Sequence, residues 1–388
     1  MRGLGSIWPL LAASAALVVA CSGPPSASPA PTPAGAPRTA ASPASAPAAT
    51  PPPPVGAVRE PPAPVPPASA AATPATVETV RVAYNPQLPA APILVGSDKG
   101  YFREQGIEIE TERAENAAAV FQALASGEVD VGRGAIAAGT FNAFSRGVDT
   151  RIVATGHAEP PTGRTGNPVV VRKDLWDSGA VRAVPDLRGR TVAINGPAGG
   201  GEYTLGSVLR DNAMTFDDVR VAYMPFPDMV AALGGGAIDA AASIIEPQAT
   251  TALRRGFAEL LVPAPRPGTQ TTVIFYGTRF VAERPEVARR WMLAYLRSLR
   301  DLTGEGWRKP EHLAILSRAT GLPVDLIEES IAPYWDPDGR VNRDDLMAQQ
   351  RFYQERGHLQ YTDLLPIEAL LDESWLDAAL RTLGPAAR

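Results

Sequence analysis

Three consecutive glycines, Gly199-Gly200-Gly201, stand directly before a stretch with helical periodicity, Glu202 to Asn212. Such a loop can leave backbone N–H groups open at the positive end of a helix, which suits a sulfonate, carboxylate or phosphate. It can equally be a plain flexible turn. Glu202 falls in the first turn, where a carboxylate stabilises the helix, and solvated capping is the role expected of it. Glu246 follows the apolar run Ala240 to Ile245 and is fixed by Pro247. At a strand's carboxyl end it can accept hydrogen bonds from a ligand amine, or it can form a salt bridge between lobes. Arg133, next to Gly134, holds the matching place earlier in the chain. It either pairs with Glu246 or clamps an anionic ligand bidentately. Asn85 and Asn195 each end a strand, where an asparagine contacts ligand or only stabilises the turn. Tyr84, Gln87, Tyr223 and Phe226 are candidate walls, although aromatic residues also serve as plain core. His157 is an outside candidate, with a surface position expected. No residue is assigned a catalytic role.

The elements that must hold these residues occur twice. Ala123-Leu124-Ala125-Ser126-Gly127-Glu128-Val129-Asp130 is echoed by Ala232-Leu233-Gly234-Gly235-Gly236-Ala237-Ile238-Asp239, with the shared pattern A-L-x-x-G-x-[VI]-D. Each copy reads as the end of an amphipathic helix, a glycine stop and a short buried strand. Upstream, Val82-Ala83-Tyr84-Asn85 corresponds to Val192-Ala193-Ile194-Asn195 at nearly the same distance. Two tandem units of strand, helix, strand, helix, strand are therefore expected, and repeats of this kind define an architecture. Within them, Val80–Tyr84, Ile107–Glu110, Val129–Val131, Thr150–Ala154, Val169–Val171, Thr191–Asn195, Val219–Met224 and Ile238–Ile245 read as strands. Asn116 can cap a helix from Ala117 to Ser126, and Asp228 one through Leu233. Thr271–Tyr276 reads as the strand that returns the chain to the first lobe. Pro285 opens a long helix whose Val287, Trp291, Tyr295 and Leu299, four apart, form a buried stripe. Alternating strands and helices imply mainly parallel sheets, whose ligands bind outside the carboxyl ends of the strands.

The 388 residues carry a formal charge of −5 without a long basic run, so nucleic-acid binding lacks its electrostatic footprint. One cysteine, Cys21, and three histidines, His157, His312 and His358, exclude an intramolecular disulfide and a Cys/His zinc cage. No metal and no cofactor is expected. Residues 1–20 combine a basic start, a short apolar core and a small residue before Cys21, the pattern of a secretory signal. A cysteine directly after Val18-Val19-Ala20 resembles a bacterial lipobox, which implies cleavage before Cys21 and its acylation; a plain signal with an incidental cysteine is the alternative. Residues 21–78 hold the anchor and a linker; the stretch from 22 to 78 contains 18 of the 40 prolines, the rest being mostly alanine, serine and threonine. Such a segment buries no core and favours extended polyproline II, as a spacer or as a proline-rich docking ligand. The globular body divides into residues 79–170 (first lobe), 171–269 (second lobe) and 270–388 (first lobe completed, with C-terminal helices).

Asp98-Lys99-Gly100-Tyr101-Phe102-Arg103-Glu104-Gln105-Gly106-Ile107 resembles the "KGYFxxxG" signature of SsuA/THI5-like (NMT1-like) substrate-binding proteins. The A-L-x-x-G-x-V-D segment, Asp186-Leu187-Arg188-Gly189, Glu246-Pro247 and Leu364 to Asp372 follow in the family's order. The resemblance covers about residues 79 to 380. It implies a type II periplasmic-binding-protein fold with two lobes and two crossings. It further implies a monomer that captures a small molecule of the sulfonate, nitrate or pyrimidine/flavin-precursor class for the permease and ATPase of an ABC importer. The chain departs from the family at Gly134-Ala135, where a serine or threonine is common, and at Ile245, where an aromatic is. A surface lipoprotein that senses a ligand for a signalling partner is the alternative. A pyrimidine-precursor synthase, also in the family, is recognised by a cysteine-rich motif and a donor histidine, and here the only cysteine lies in the signal region. No G-x-S-x-G or H-E-x-x-H is present either.

Overall fold

A computed structural model of the chain describes residues 77–114 and 117–386. The signal segment, Cys21, nearly all of the proline-rich linker and the proposed cap Asn116 lie outside the described residues. Among the described residues ten strands form two five-stranded sheets. They are β1 (Glu78–Tyr84), β2 (Ile107–Arg113), β3 (Val131–Ala135), β4 (Thr150–Ala158), β5 (Val169–Arg172), β6 (Thr191–Ile194), β7 (Arg220–Tyr223), β8 (Ala240–Ala242), β9 (Ala258–Val262) and β10 (Gln270–Gly277). The first sheet has the order β2-β1-β3-β10-β4 and the second β7-β6-β8-β5-β9. The chain therefore passes to the second sheet between Ala158 and Val169 and returns between Val262 and Gln270.

Both sheets are mixed in the same way. In each, four strands share a direction and one is reversed: β10 runs antiparallel to β3 and β4, and β5 runs antiparallel to β8 and β9. Each reversed strand is the first one the chain enters after a crossing. Strand β9, between the second unit and the return, has no counterpart in the sequence reading. The third strand of the second unit is also shorter than its apolar run suggests, because Ser243 leaves the extended conformation with a φ of 57°.

The repeated A-L-x-x-G-x-[VI]-D segment has a structural cause. Asp130 Oδ2 accepts from the Arg81 N–H at 2.9 Å, and Asp239 Oδ2 accepts from the Thr191 N–H at 2.8 Å. Each aspartate thus ties the start of the third strand of its unit to the backbone of the first, and each is flanked by an arginine, Arg284 and Arg172 respectively. The glycine before it, Gly127 or Gly236, has a φ of 74° and stops the preceding helix in the left-handed region open to glycine. The helix Phe226–Gly235 starts two residues before Asp228, behind Pro225, so Asp228 lies in its first turn and does not cap it.

The long helix Pro285–Leu302 packs Val287, Trp291, Tyr295 and Leu299 into the largest core cluster, all of them buried. The KGYF signature is anchored to the end of that helix. Lys99 Nζ and the Tyr101 hydroxyl donate to Asp301 Oδ2 at 2.7 and 2.6 Å, and Phe102 lies 5.6 Å from the Trp291 ring. Among the described residues no helix is long and apolar enough to cross a membrane.

Candidate functional site

Arg133 sits one residue before Gly134 near the carboxyl end of β3, opposite Ile274 of β10. Side chains alternate along a strand, so Arg133 and Ala135 share one face and Gly132 and Gly134 the other. Arg133 and Ala135 line a cavity between the two sheets. A Cβ on Gly134 would instead meet Phe275 at 3.1 Å and Ala117 at 3.7 Å, so Gly134 belongs to the packing beneath a helix. The Arg133 side chain is buried, and its Nε has no hydrogen-bond partner. Among the described residues no carboxylate forms an ion pair with it, and Glu246 in particular does not. Burial pushes the guanidinium down to about 10, and it stays charged at neutral pH.

The crossing segments supply a polar wall. β4 reaches past the predicted Ala154 to Ala158, and His157 lies in it, buried, with Nδ1 3.2 Å from Thr272 Oγ1. It is not the surface histidine expected from the sequence. Burial, with the Arg133 charge added, holds its imidazole well below its ordinary value, so it is neutral. His157 Nε2 lies 3.9 Å from Glu159 Oε1, in the first crossing. Glu159 Oε2 accepts from the Gly166 N–H at 2.8 Å, while Oε1 has no partner. Burial pushes this carboxyl up to about 7, with hydrogen bonds from Gly166 and Asn167 opposing and the nearby Glu246 charge reinforcing. From the return crossing, the Gln270 amide donates to Thr155 Oγ1, the His157 carbonyl and the Thr272 carbonyl at 2.7 to 3.1 Å. β4 and β10 come close here because Gly156 has no side chain; a Cβ would stand 2.7 Å from Thr272 Oγ1 and 2.9 Å from backbone atoms.

The second lobe contributes strand ends and one helix start. Asn195 follows β6, and a Cβ on Gly201 would stand 2.5 Å from Asn195 Oδ1. The helix Gly200–Asp211 thereby packs its first turn directly on the end of β6. Glu202 does bind the Ala198 N–H, as a first-turn carboxylate should, but it is buried and not solvated. Its other oxygen takes Arg356 Nε at 2.8 Å, and His358 lies 2.9 Å away, so it fastens the helix to the C-terminal part of the chain. Ser243, in its left-handed conformation, and Glu246 stand beyond β8. Glu246 Oε2 accepts from the Thr250 N–H at 3.1 Å and Oε1 from the Ile331 N–H at 3.3 Å. Burial raises its pKa, opposed by hydrogen bonds from Thr250 and Ile331 and by the Arg164 charge.

The enclosed space is about 170 Å³. This is room for a small molecule. Of the residues singled out in the sequence, Gln87, Arg133, Asn195, Gly200, Gly201 and Glu246 line it, as do His157 and Phe226. Asn85, Gly134 and Gly199 do not. The Asn85 carbonyl takes the Gln87 N–H at 2.8 Å, the turn role. Gly199 precedes the helix as its cap. Tyr84 is core, and Tyr223 is exposed on the far edge strand. Glu159, Ser243, Thr269, Gln270, Thr272 and Gln349 line the cavity without having been singled out. Only Glu159 carried a signal, as an acid in an otherwise glycine- and proline-rich connection. Among the described residues no group of three or more His, Cys, Asp or Glu is placed to hold a metal ion.

The architecture and cavity have counterparts among solved structures. The alkanesulfonate-binding protein SsuA of Xanthomonas axonopodis pv. citri, bound to MOPS, matches with a TM-score of 0.57 at 20% identity, over 77% of this chain and 99% of that one. The periplasmic nitrate-binding protein NrtA of Synechocystis PCC 6803 matches with a TM-score of 0.65 at 15% identity, over 79% and 89%. A protein named desulfurization enzyme DSZB matches with a TM-score of 0.56 at 18% identity, over 79% and 99%. No curated protein sequence matches. These likenesses show the two-lobed periplasmic-binding-protein fold. Residues 87–305 match the NMT1/THI5-like family model, more than half of the 388 residues, and the chain belongs to that family.

Proposed function

We propose that this protein is the substrate-binding component of an ABC importer, holding a small molecule with an anionic group between its lobes for delivery to a permease and its ATPase. The carrying observation is Arg133: a buried guanidinium with no counter-ion among the described residues, opening on a cavity lined from both sheets and both crossings. An ion left unpaired in a protein interior is costly, and a ligand anion would relieve that cost. The solved relatives named for sulfonate and nitrate binding support the reading. In it, the crossings at 159–168 and 263–269 act as the hinge of lobe closure, and acylated Cys21 holds the body outside the cytoplasm at the membrane. The reading is of a binding protein; the cysteine-rich motif of the pyrimidine-precursor synthase has no match here, the one cysteine being Cys21.

The test uses full-length protein unfolded and refolded to remove carried-over ligand. Incubation with a small-molecule extract, followed by native mass spectrometry, should show one bound species. Arg133→Met should lose it, by ten- to hundredfold in affinity per charge-assisted hydrogen bond at roughly 1.5 to 3 kcal/mol. The ligand-free variant should be at least as stable as the parent. An extract that yields no bound species, or binding that survives Arg133→Met unchanged, overturns the proposal.

A further inference from the structure

The cavity wall presents two opposite demands. Arg133 supplies a cation with no anion against it among the described residues. On the crossing side, Glu159 Oε1 is a buried acceptor with no donor within hydrogen-bond geometry among the described residues, although the other oxygen is satisfied by Gly166 and Asn167 stands close to the carboxyl. Glu246, beyond the end of β8, lines the same space and lies close enough for its charge to act on Glu159. Each Glu246 oxygen receives one backbone N–H, and the Thr250 side chain adds a hydrogen bond with the Arg164 charge nearby; of the carboxylate's four lone-pair sites one is left open. All three side chains are at least nine-tenths buried, at 6%, 4% and 6% exposure.

A simple anion would meet Arg133 and place the rest of its surface against two carboxyl groups. A simple cation would leave Arg133 unpaired. Building on the reading of the protein as a small-molecule binder, we infer that its ligand is a dipolar molecule, with an anionic group held by Arg133 and a protonated amine held by Glu159 and Glu246. One molecule then satisfies the unpartnered donor and the unpartnered acceptor together. The neutral His157 between them, with Nδ1 at Thr272 Oγ1, adds no competing charge. The site differs in this from one built for nitrate or an alkanesulfonate, which carry acceptors alone. Burial keeps Glu159 partly protonated at neutral pH when the cavity is empty, and an ammonium group beside it would drive it to the ionised form, so binding near pH 7 releases protons.

The experiment is calorimetry on refolded, ligand-free full-length protein with matched pairs that differ only in the amine. The pairs are 2-aminoethanesulfonate and ethanesulfonate, 3-aminopropanesulfonate and propanesulfonate, 3-aminopropanoate and propanoate, and 4-aminobutanoate and butanoate. At least one aminated member should bind ten-fold or more tightly than its amine-free twin. Glu159→Gln and Glu246→Gln should each shrink that ratio by ten-fold or more, the aminated member binding more weakly and the amine-free twin, relieved of a neighbouring carboxylate, at least as tightly as before. Both substitutions keep the side-chain shape, and circular dichroism confirms the fold. Amine-free twins that bind as well as their partners overturn the inference and leave small-molecule capture standing. Silence from every aminated probe also overturns it, while the extract experiment decides separately whether the protein binds a small molecule at all.

Discussion

Glu159→Gln isolates the electrostatics of the empty cavity. Burial pushes the folded carboxyl up to about 7 against an ordinary value of 4.5. Between those values the folded state holds a proton that the unfolded chain releases, so this group's contribution to stability is full below 4.5 and is lost as pH rises through 7. At about 1.4 kcal/mol per pH unit the loss amounts to roughly 3 kcal/mol by pH 8. Glutamine mimics the protonated side chain and can still accept from the Gly166 N–H, so the variant escapes the loss. His157 acts in the opposite sense. Its imidazole is held well below 6.5, so the unfolded chain binds the extra proton and stability falls as pH drops below 6.5. The two contributions offset each other in the parent over much of the window from 4.5 to 6.5, and the parent curve alone is uninformative. The difference between parent and variant removes His157 and isolates Glu159. Urea unfolding of both proteins from pH 4.5 to 8.5, at unchanged m-value, should give near-equal stabilities at the acid end and a variant more stable by roughly 3 kcal/mol at the alkaline end. A constant offset across the whole range would refute a buried carboxyl with a raised pKa.

The paired aspartates should behave alike: Asp130→Ala and Asp239→Ala each remove a charged acceptor from a strand N–H and should destabilise by about 2 kcal/mol without altering ligand affinity, as denaturant titration and calorimetry will read. Burial disfavours the charge of Asp301, but Lys309, Lys99 and Tyr101 outweigh it and hold the carboxyl well below the usual range. Asp301→Asn should therefore lower stability by about 2 kcal/mol at pH 7, with the difference from the parent vanishing as pH falls through the folded pKa. Cys21→Ser should release the protein from washed membranes, and persistence in the membrane fraction would dismiss the lipid anchor.

The sequence made legible whatever depends on near neighbours. The A-L-x-x-G-x-[VI]-D echo could be read because a helix end, a glycine with positive φ and an aspartate bound to a strand start recur at fixed spacing. The KGYF run could be recognised but not explained, since its partner Asp301 lies about 200 residues away. The reversal of β5 and β10 was hidden for the same reason: strand direction is set by partners the chain reaches only after a crossing. Gly134 was misplaced because a one-residue step along β3 turns a position from the cavity to the helix beneath it. The solvated role given to Glu202 failed because Arg356 and His358 come from the opposite end of the sequence.

What the sequence lacked for the site was a way to separate polar residues that hold the fold from those that wait for a ligand. Residue type does not separate them, since Gln270, Asp345, Glu202 and Glu159 are all buried polar groups. Their partners do. The Gln270 amide is shared among three oxygens and its carbonyl accepts from the Asn342 N–H. Asp345 takes Tyr203, Arg266, Gln349 and the Gln270 N–H. These groups are satisfied and stiffen the floor where the return crossing meets the first sheet. Arg133 Nε, Glu159 Oε1 and Thr269 Oγ1 belong to the same neighbourhood, line the same cavity and have no partner. Buried polar atoms are paired in the great majority of cases, and three unpaired atoms around one space fit the proposed ligand as their shared partner. On the inference drawn above, that partner carries both an acceptor and a donor, a requirement that rests on which atoms the fold leaves unsatisfied and not on which residues the family shares.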